Sequence, residues 1–143
     1  MAGGEIPKER TVQRGILKML GQSFPRVVAH HSPKGAHLAG SGNARFKQMG
    51  ALKGDGMRPG FPDLLCLWSP RKGCFIEVKR AKTGKVSPEQ KVMIETLEAL
   101  AWPVRIVTSV DDAYTFLRDC GAPWNGVDGR LDPKADMYAA VAA

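Results

Sequence analysis

Two short apolar runs separated by a turn constrain the fold of this chain more than any other feature. Residues 62–68 (PDLLCLW) and 74–79 (CFIEVK) are rich in large apolar side chains, and residues 69–73 (SPRKG) between them hold a proline and a glycine. Runs of this length bounded by turn residues are typical of buried β-strands. The sequence therefore predicts a hairpin whose two strands lie inside a sheet.

Both predicted strands carry ionisable side chains, which are costly to bury unless they pair or bind a metal. A hairpin centred on Arg71 places Asp63 opposite Lys79, and it places Leu65 opposite Glu77. Because side chains two positions apart in a strand share a face, Asp63, Glu77 and Lys79 are expected to lie within about 5–8 Å of one another. The hairpin is thus predicted to bring two acids and one ammonium group together.

This combination of charges suits a divalent cation and a phosphodiester. Carboxylate oxygens favour Mg²⁺ or Mn²⁺, and such an ion supports phosphodiester hydrolysis. Asp63 and Glu77 are the predicted ligands, with the Val78 carbonyl as a third. Lys79 is predicted to orient or deprotonate the attacking water and to stabilise the developing charge. The alternative is a structural salt bridge, but buried ion pairs stabilise folds weakly, so three such groups on one inner face favour catalysis.

The positive charge of the chain is concentrated around this hairpin. The 143 residues fit one compact domain and carry a formal net charge of +7. Residues 34–91 hold 12 basic and 4 acidic side chains, whereas residues 92–143 hold 4 basic and 8 acidic ones. Nucleic acid is therefore the expected partner, although a generic basic surface is the alternative. The predicted DNA contacts are Lys47, Lys53, Arg58, Arg80, Lys82 and Lys85.

Cysteine content and hydropathy narrow the class of protein further. Cys66, Cys74 and Cys120 lack the paired spacing of a disulfide framework or a zinc site, and the first two are expected to be buried thiols in a reducing compartment. No run approaches the ~20 apolar residues of a membrane span, and the N-terminus does not resemble a signal peptide. We therefore expect a soluble cytoplasmic protein with no membrane partner and no small-molecule cofactor.

Outside the hairpin, helical and strand patterns alternate along the chain. Ser87-Pro88-Glu89-Gln90 has the form of a capping box with proline at the first helical position, which predicts a helix start. The order of elements predicts an α/β fold with a mixed central β-sheet flanked by α-helices. We expect one domain over residues 1–121, followed by a loosely packed tail over residues 122–143. The other predicted elements are a helix over 7–20 that stops at Gly21, a strand over 26–31, a helix over 44–52, a helix from 87 to about 100, a strand over 104–108 and a helix from 109 to about 121.

Several of these motifs resemble one nuclease family. Pro62-Asp63 followed by Glu77-Val78-Lys79 resembles the PD-(D/E)xK signature of restriction-endonuclease-like nucleases. The wider segments 56–64, 76–79 and 84–90 are similar to the VRR-NUC branch, and the likeness covers roughly residues 5–120. This resemblance implies a restriction-endonuclease-like fold and metal-dependent cleavage of DNA, often branched DNA such as Holliday junctions, by a homodimer. Stand-alone members resemble phage or bacterial nucleases of this length, so a phage-encoded protein in a bacterial host is one expectation.

The resemblance also implies two further site residues. The family places an acidic residue on the first helix near the metal, and Glu9 matches this position, with Glu5 as the second choice. The alternative for Glu9 is a surface glutamate that the helix dipole stabilises near the start of the helix. Gln90 matches a family glutamine that orients a water or contacts phosphate. Its alternative role is that of the capping-box partner of Ser87, and the two roles can coexist.

Other functions remain open from the sequence. A non-catalytic nucleic-acid-binding module is one, although a pure binder does not need buried acids, and an RNA-directed nuclease is another. His30, His31 and Asn43 suggest an HNH-type nuclease, but neighbouring strand residues point to opposite faces. Apolar residues in the predicted tail, Trp124, Met137 and Tyr138, would permit a dimer.

Overall fold

The computed structural model describes residues 4–32 and 42–125, in which helices and strands alternate in the predicted order. None of the helices in this described part of the chain is long and apolar enough to cross a bilayer. The elements are α1 (Glu9–Ser23), β1 (Val28–His31), α2 (Asn43–Gly54), β2 (Leu64–Trp68), β3 (Lys72–Val78), α3 (Pro88–Ala99), β4 (Val104–Val107) and α4 (Val110–Asp119).

The four described strands form one mixed sheet in the order β1-β2-β3-β4. β2 is antiparallel to both β1 and β3, whereas β4 lies parallel to β3. A parallel neighbour requires a crossover connection, and α3 provides it between β3 and β4. The predicted α/β fold with a mixed sheet is therefore confirmed, and β3 lies in the interior of the sheet.

The register of the hairpin between β2 and β3 differs from the prediction by two positions. Leu65 pairs with Phe75, where the prediction paired it with Glu77. Continuing the observed register places Asp63 at the level of Glu77, where the prediction placed Lys79. Because a shift of two positions leaves every side chain on the same face, the predicted clustering of the three charged residues does not depend on this error.

The loop of this hairpin is shorter than the sequence predicts. Trp68 pairs with Lys72, so only residues 69–71 connect the strands and the centre is Pro70. Arg71 closes the loop with φ of 56°, in the left-handed region. A left-handed residue at this position is common in three-residue hairpin loops.

Helices α1 and α4 cover one face of the sheet and form the hydrophobic core with it. In α1 the buried residues follow the three-and-four spacing of an amphipathic helix, as predicted, and in α4 the buried residues share one face in the same way. The buried residues of this core are Val12, Ile16, Met19 and Leu20 of α1, Leu64, Cys66, Trp68, Cys74, Ile76, Val78 and Val107 of the strands, Ala113, Phe116 and Leu117 of α4, and Phe24, Val27 and Ala122 outside these elements.

The end of α1 lies beyond the predicted stop at Gly21. The helix continues to Ser23, and the backbone N–H of Phe24 donates to the Leu20 carbonyl at 2.9 Å. Phe24 is fully buried. A glycine inside a helix costs about 1 kcal/mol, which is less than the gain from burying a phenylalanine side chain, so the helix extends.

The opposite face of the sheet carries a row of aromatic rings and α3. Phe75 of β3 packs edge-to-face against Phe61 at 5.5 Å and against Trp102 at 6.1 Å between ring centroids. α3 buries Gln90 and Leu97 on this side of the molecule, so a polar residue forms part of its inner face. Two structural layers thus flank the sheet, and the charged residues of β3 lie on the side of α3.

The first residues of the predicted tail pack against the domain. The guanidinium of Arg118 stacks over the ring of Trp124, 3.4 Å from its centroid. Asn125 donates its backbone N–H to the last residue of α1 at 3.0 Å. The remainder of the predicted tail, with Met137 and Tyr138, lies outside the described residues.

The cysteines are free thiols, as expected, and two of them are buried. Cys66 and Cys74 are direct partners across β2 and β3. A hydrogen bond with the Cys66 thiol and burial together raise the pKa of the Cys74 thiol far above its usual range, and burial raises the pKa of the Cys120 thiol. The thiols of Cys74 and Cys120 are therefore poor nucleophiles.

Candidate active site

Asp63 stands at the start of β2 and connects three strands. Its Oδ2 atom accepts a hydrogen bond of 2.7 Å from the backbone N–H of Val78 in β3. Its carbonyl accepts a hydrogen bond of 2.9 Å from the backbone N–H of Ser32 and lies 3.2 Å from Nδ1 of His31 at the end of β1. These contacts fix Asp63 at the end of the sheet, where the residue is only 3% exposed.

Glu77 and Lys79 lie two positions apart at the end of β3 and share a face. Nζ of Lys79 is 3.7 Å from Oε1 of Glu77, and Glu77 is only 1% exposed. The same Oε1 atom accepts a hydrogen bond of 2.8 Å from Nε2 of Gln90. The structure thus brings the four predicted catalytic residues, including Asp63, to one end of the sheet.

Gln90 has the capping-box role that the sequence offered, and it also contacts a carboxylate of the site, while its role toward water or phosphate stays a prediction. Its Oε1 atom accepts a hydrogen bond from the backbone N–H of Ser87 at 2.9 Å, and its own N–H donates to Ser87 Oγ at 3.2 Å, which completes a capping box. Its Nε2 atom at the same time donates to Glu77. The cap that starts α3 therefore orients a buried amide toward the carboxylate of Glu77.

Gly60 holds the start of α3 against the loop that leads to Asp63. Its φ is +79°, and a Cβ atom at this position would lie 2.5 Å from the carbonyl carbon and oxygen of Glu89 and 2.6 Å from the nitrogen of Gln90. These are backbone atoms, which cannot swing aside as a side chain does. Only glycine allows the loop and the helix start to approach this closely.

Replacing Gly60 with alanine should therefore destabilise the domain and displace Gln90. We expect a loss of about 2–4 kcal/mol in the free energy of unfolding, measured by urea denaturation, because backbone strain and a collision with α3 add together. Gly121→Ala is the matched control, since Gly121 has φ of +80° with open space around it. Equal losses for the two variants would show that the close approach to α3 is unimportant.

A cleft of about 1000 Å³ opens beside these residues. One side is formed by α2 and the loop after it, and the other by the start of α3, where Ser87 and Gln90 line the wall. His30 and Ser32 of the β1 region also contribute. Asp63, Glu77 and Lys79 are not among the residues that line the cleft, so Gln90, which contacts Glu77, is the link between the cleft wall and the candidate site.

The predicted DNA-binding residues differ in their surroundings. Lys53 and Arg58 line the cleft. The side chain of Arg80 is half-buried, and its Nη2 atom donates to the carbonyl of Ile6 at 2.9 Å, so this guanidinium also connects the N-terminal segment to β3. The remaining three are exposed: Lys47 on α2, and Lys82 and Lys85 in the loop that follows Lys79.

The donor set at the site fits a hard divalent cation. Asp63 and Glu77 supply carboxylate oxygens, and the Val78 carbonyl is an oxygen donor next to Glu77 in the chain. Among residues 4–32 and 42–125, no group of three His, Cys, Asp or Glu side chains could hold a metal ion. Mg²⁺ is commonly bound by one or two carboxylates and several waters, so two acids are sufficient. Glu9, half-buried at the start of α1, does not complete a three-residue group in the structure, and its role as a ligand stays a prediction.

The histidines do not support the HNH alternative within the described part of the chain. His30 and His31 are adjacent residues of β1, and Asn43 begins α2. The ββα unit of an HNH site would require two strands followed directly by a helix, and within residues 4–32 and 42–125 both histidines lie on β1, which pairs with β2 across the sheet. His31 instead contacts the backbone of Asp63.

Three residues that position the site were not identified as such from the sequence. His31 and Ser32 contact the Asp63 carbonyl, and Gly60 packs on α3. The available signal was the cluster of glycines in residues 53–61, which predicts an irregular loop. A local pattern of this kind does not reveal which distant backbone the loop will contact.

The fold and the site together define a class of protein. A mixed sheet flanked by helices, with PD and ExK residues at the ends of two adjacent strands, is a restriction-endonuclease-like fold. The model of the VRR-NUC domain family matches residues 13–111. The chain belongs to the VRR-NUC family, which is a family of nuclease type.

Solved structures agree with this assignment at the level of the fold. A VRR-NUC domain protein superposes with a TM-score of 0.61 at 20% identity, over 82% of this chain and 90% of that one. A second VRR-NUC domain gives a TM-score of 0.54 at 18% identity, over 78% of this chain and 97% of that one. No curated protein matches the chain in sequence.

Proposed function

We propose that this protein is a divalent-metal-dependent DNA endonuclease that hydrolyses phosphodiester bonds. The observation that carries the proposal is the group formed by Asp63, Glu77 and Lys79, each less than one-tenth exposed and all at one end of the sheet. Burying these charges is expensive, and buried ion pairs are weak stabilisers. Their grouping at one end of the sheet, with Gln90 linking Glu77 to the cleft wall, supports a catalytic role.

Asp63, Glu77 and the Val78 carbonyl would hold Mg²⁺ or Mn²⁺, with Glu9 as a further candidate. When bound, the ion supplies neutralisation of the phosphodiester charge and an activated water. The hydrogen bond from Val78 N–H to Asp63 fixes one carboxylate, and the hydrogen bond from Gln90 fixes the other. The protein therefore holds its metal-binding oxygens in place before the substrate arrives.

Lys79 contributes an ammonium group within 3.7 Å of the Glu77 carboxylate. Glu77 holds this group at the site, where it can orient the attacking water and stabilise the negative charge that develops on the phosphate. Gln90 acts through Glu77 and is a positioning residue. Its place in the capping box means that the orientation of its amide is set by α3.

Substrate binding is assigned to the basic side chains near the site. Lys53 and Arg58 line the cleft, and Lys82 and Lys85 follow the catalytic strand. Contacts of this kind bind the phosphate backbone without reading sequence, so we propose that selectivity depends on DNA structure. Branched DNA as the substrate and a homodimer as the active form are parts of the proposal that rest on the resemblance to the family. The protein is proposed to act in the cytoplasm, where cysteine thiols stay reduced.

The test is cleavage of a labelled four-way junction beside linear duplex, single-stranded and flap DNA, and beside RNA of the same sequences. Each reaction is run with Mg²⁺, with Mn²⁺ and with EDTA. Paired symmetric nicks at the junction that disappear in EDTA are the expected result. Metal-dependent cutting of another DNA would replace the junction as substrate, and a preference for RNA would overturn the DNA assignment. Binding without any cutting would favour a non-catalytic binding module.

Replacing Gln90 with alanine should lower the cleavage rate by about 10–100-fold, the usual effect of losing a group that orients a metal-binding side chain. Ser87→Ala is the control. It removes the Ser87 Oγ bond to the Gln90 N–H, which should cost about 1 kcal/mol of stability and leave the rate near wild type. Single-turnover rates and urea unfolding of both variants separate the two roles. Equal rates for the two variants would remove the Glu77 contact from the mechanism.

A further inference from the structure

The cleft beside the candidate site has an apolar wall that a phosphate backbone would not use. Met49, Leu52, Met57 and Phe61 line it, and each is half-buried. Exposed apolar surface in a cleft of about 1000 Å³ is typical of a site for a compact organic group. The basic residues account for binding of a polyanion, but they do not account for this wall.

The wall is suited to a flat ring. Phe61 packs edge-to-face on Phe75, with an angle of 84° between the ring planes, so its orientation is fixed by the row of aromatic rings under it. The thioethers of Met49 and Met57 are polarisable and adapt to aromatic partners. Stacking on such groups is how proteins bind nucleobases that are not paired, because every base has a π face.

Charged residues around the cleft match the rest of a nucleotide. Lys53 and Arg58 line the cleft, are exposed and can bind the phosphates of a nucleotide. Asp55 and Glu89 also line the cleft and are exposed, and their carboxylates can accept hydrogen bonds from amino groups on a base edge. A base inside a duplex is stacked on both faces and cannot contact the wall. The occupant therefore has to be a nucleotide outside the stack.

We propose that this cleft binds an unpaired nucleotide of the DNA substrate, with its base against Met57 and Phe61. The proposal rests on the proposed function, because it takes the cleft as the route to the phosphodiester that is cut. Gln90 lines the cleft and contacts Glu77, so one side chain links the proposed nucleotide site to the candidate catalytic group. Binding of an unpaired nucleotide in this cleft gives a physical reason for selectivity toward DNA in which base stacking is disrupted.

Binding in EDTA tests the proposal apart from cleavage. Three labelled duplexes of the same sequence are compared by fluorescence anisotropy with the full chain: one fully paired, one with a single bulged nucleotide, and one with an abasic bulge. The bulged duplex should bind about tenfold more tightly than either of the others, because base stacking on an aromatic wall is lost in both. Equal affinity for the normal and the abasic bulge would overturn the proposal.

Variants of the wall test which residues produce this difference. Phe61→Leu and Met57→Ala should each lower the ratio of affinities between the normal and the abasic bulge to about threefold or less. Val92→Ala is the matched control, because Val92 is an apolar residue on the neighbouring helix, 63% exposed and outside the cleft, and it should keep the full ratio. Circular dichroism establishes that each variant is folded. A full ratio in both wall variants would contradict the assignment.

The two proposals can fail separately. If no DNA is cut with Mg²⁺ or Mn²⁺ but the normal bulge still binds more tightly than the abasic bulge, the nuclease function fails and the binding site stands. If DNA is cut and the two bulges bind equally, the nucleotide site fails and the nuclease function stands. Absence of binding to all three duplexes would overturn the nucleotide site as well.

Discussion

Replacing Lys79 with methionine should reduce the cleavage rate by about 10³-fold and leave DNA affinity within about threefold of wild type. Methionine keeps most of the length and apolar volume of the lysine stem and removes only the charge. The ammonium is one of the few charges at the site and lies 3.7 Å from Glu77. Its loss should therefore affect the transition state much more than the bound substrate.

Lys72→Met is the matched control for this experiment. Lys72 is the first residue of β3, at the opposite end of the strand from Lys79, and is exposed. Single-turnover rates with a junction substrate, and affinities measured in EDTA, separate chemistry from binding. A Lys79→Met enzyme with more than about a tenth of the wild-type rate would exclude the ammonium from the mechanism, because the loss of a catalytic charge costs more than that.

The central part of the site could be predicted because its signals are local. Within a strand the side chain alternates in direction, so Glu77 and Lys79 share a face whatever the register of the hairpin. The capping box from Ser87 to Gln90 is likewise a short pattern with one physical meaning, and it is present in the structure. Local periodicity and capping therefore located the charged residues of β3 and the start of α3.

Features that depend on distant contacts could not be predicted in this way. The prediction that α1 stops at Gly21 was wrong, because the free energy gained by burying Phe24 outweighs the cost of a glycine inside the helix. Arg80 stays a predicted phosphate contact, but no local pattern indicates the hydrogen bond of its guanidinium to the Ile6 carbonyl, 74 positions away in the chain. The role of Gly60 depends on a close approach to the backbone of α3. None of these contacts is encoded in a local pattern.

The apolar residues of α3 illustrate the same limit. The helix predicted from 87 to about 100 has Val92, Ile94, Leu97 and Leu100 as its apolar residues. Val92 is nevertheless 63% exposed, and Leu100, which directly follows α3, is 64% exposed. The buried residues of α3 are Leu97, which fits the apolar pattern, and Gln90, which is polar. Periodicity predicts an inner face from hydrophobicity alone, so it misassigns a helix whose inner face carries a functional group.

Replacing Asp63 with asparagine should weaken Mn²⁺ binding by about 100-fold or more, because one of two charged ligands is lost. A unit charge pair at about 4 Å is worth about 4 kcal/mol at an effective dielectric of about 20, which exceeds the 2.8 kcal/mol of a 100-fold change. Asparagine keeps an oxygen that can accept the hydrogen bond from Val78 N–H, so the local geometry is retained. Isothermal titration calorimetry measures the affinity directly.

Thermal unfolding with and without Mn²⁺ distinguishes a ligand from a structural carboxylate. A metal that binds only the folded state raises the unfolding temperature of the wild-type protein, and Asp63→Asn should remove this increase. In EDTA the variant should be close to wild type in stability, because asparagine keeps the acceptor for the Val78 N–H. Asp111→Asn, an exposed site on α4, should keep the full increase with Mn²⁺. If Asp63→Asn lowers stability in EDTA and keeps its response to Mn²⁺, Asp63 is a structural residue and the metal binds elsewhere.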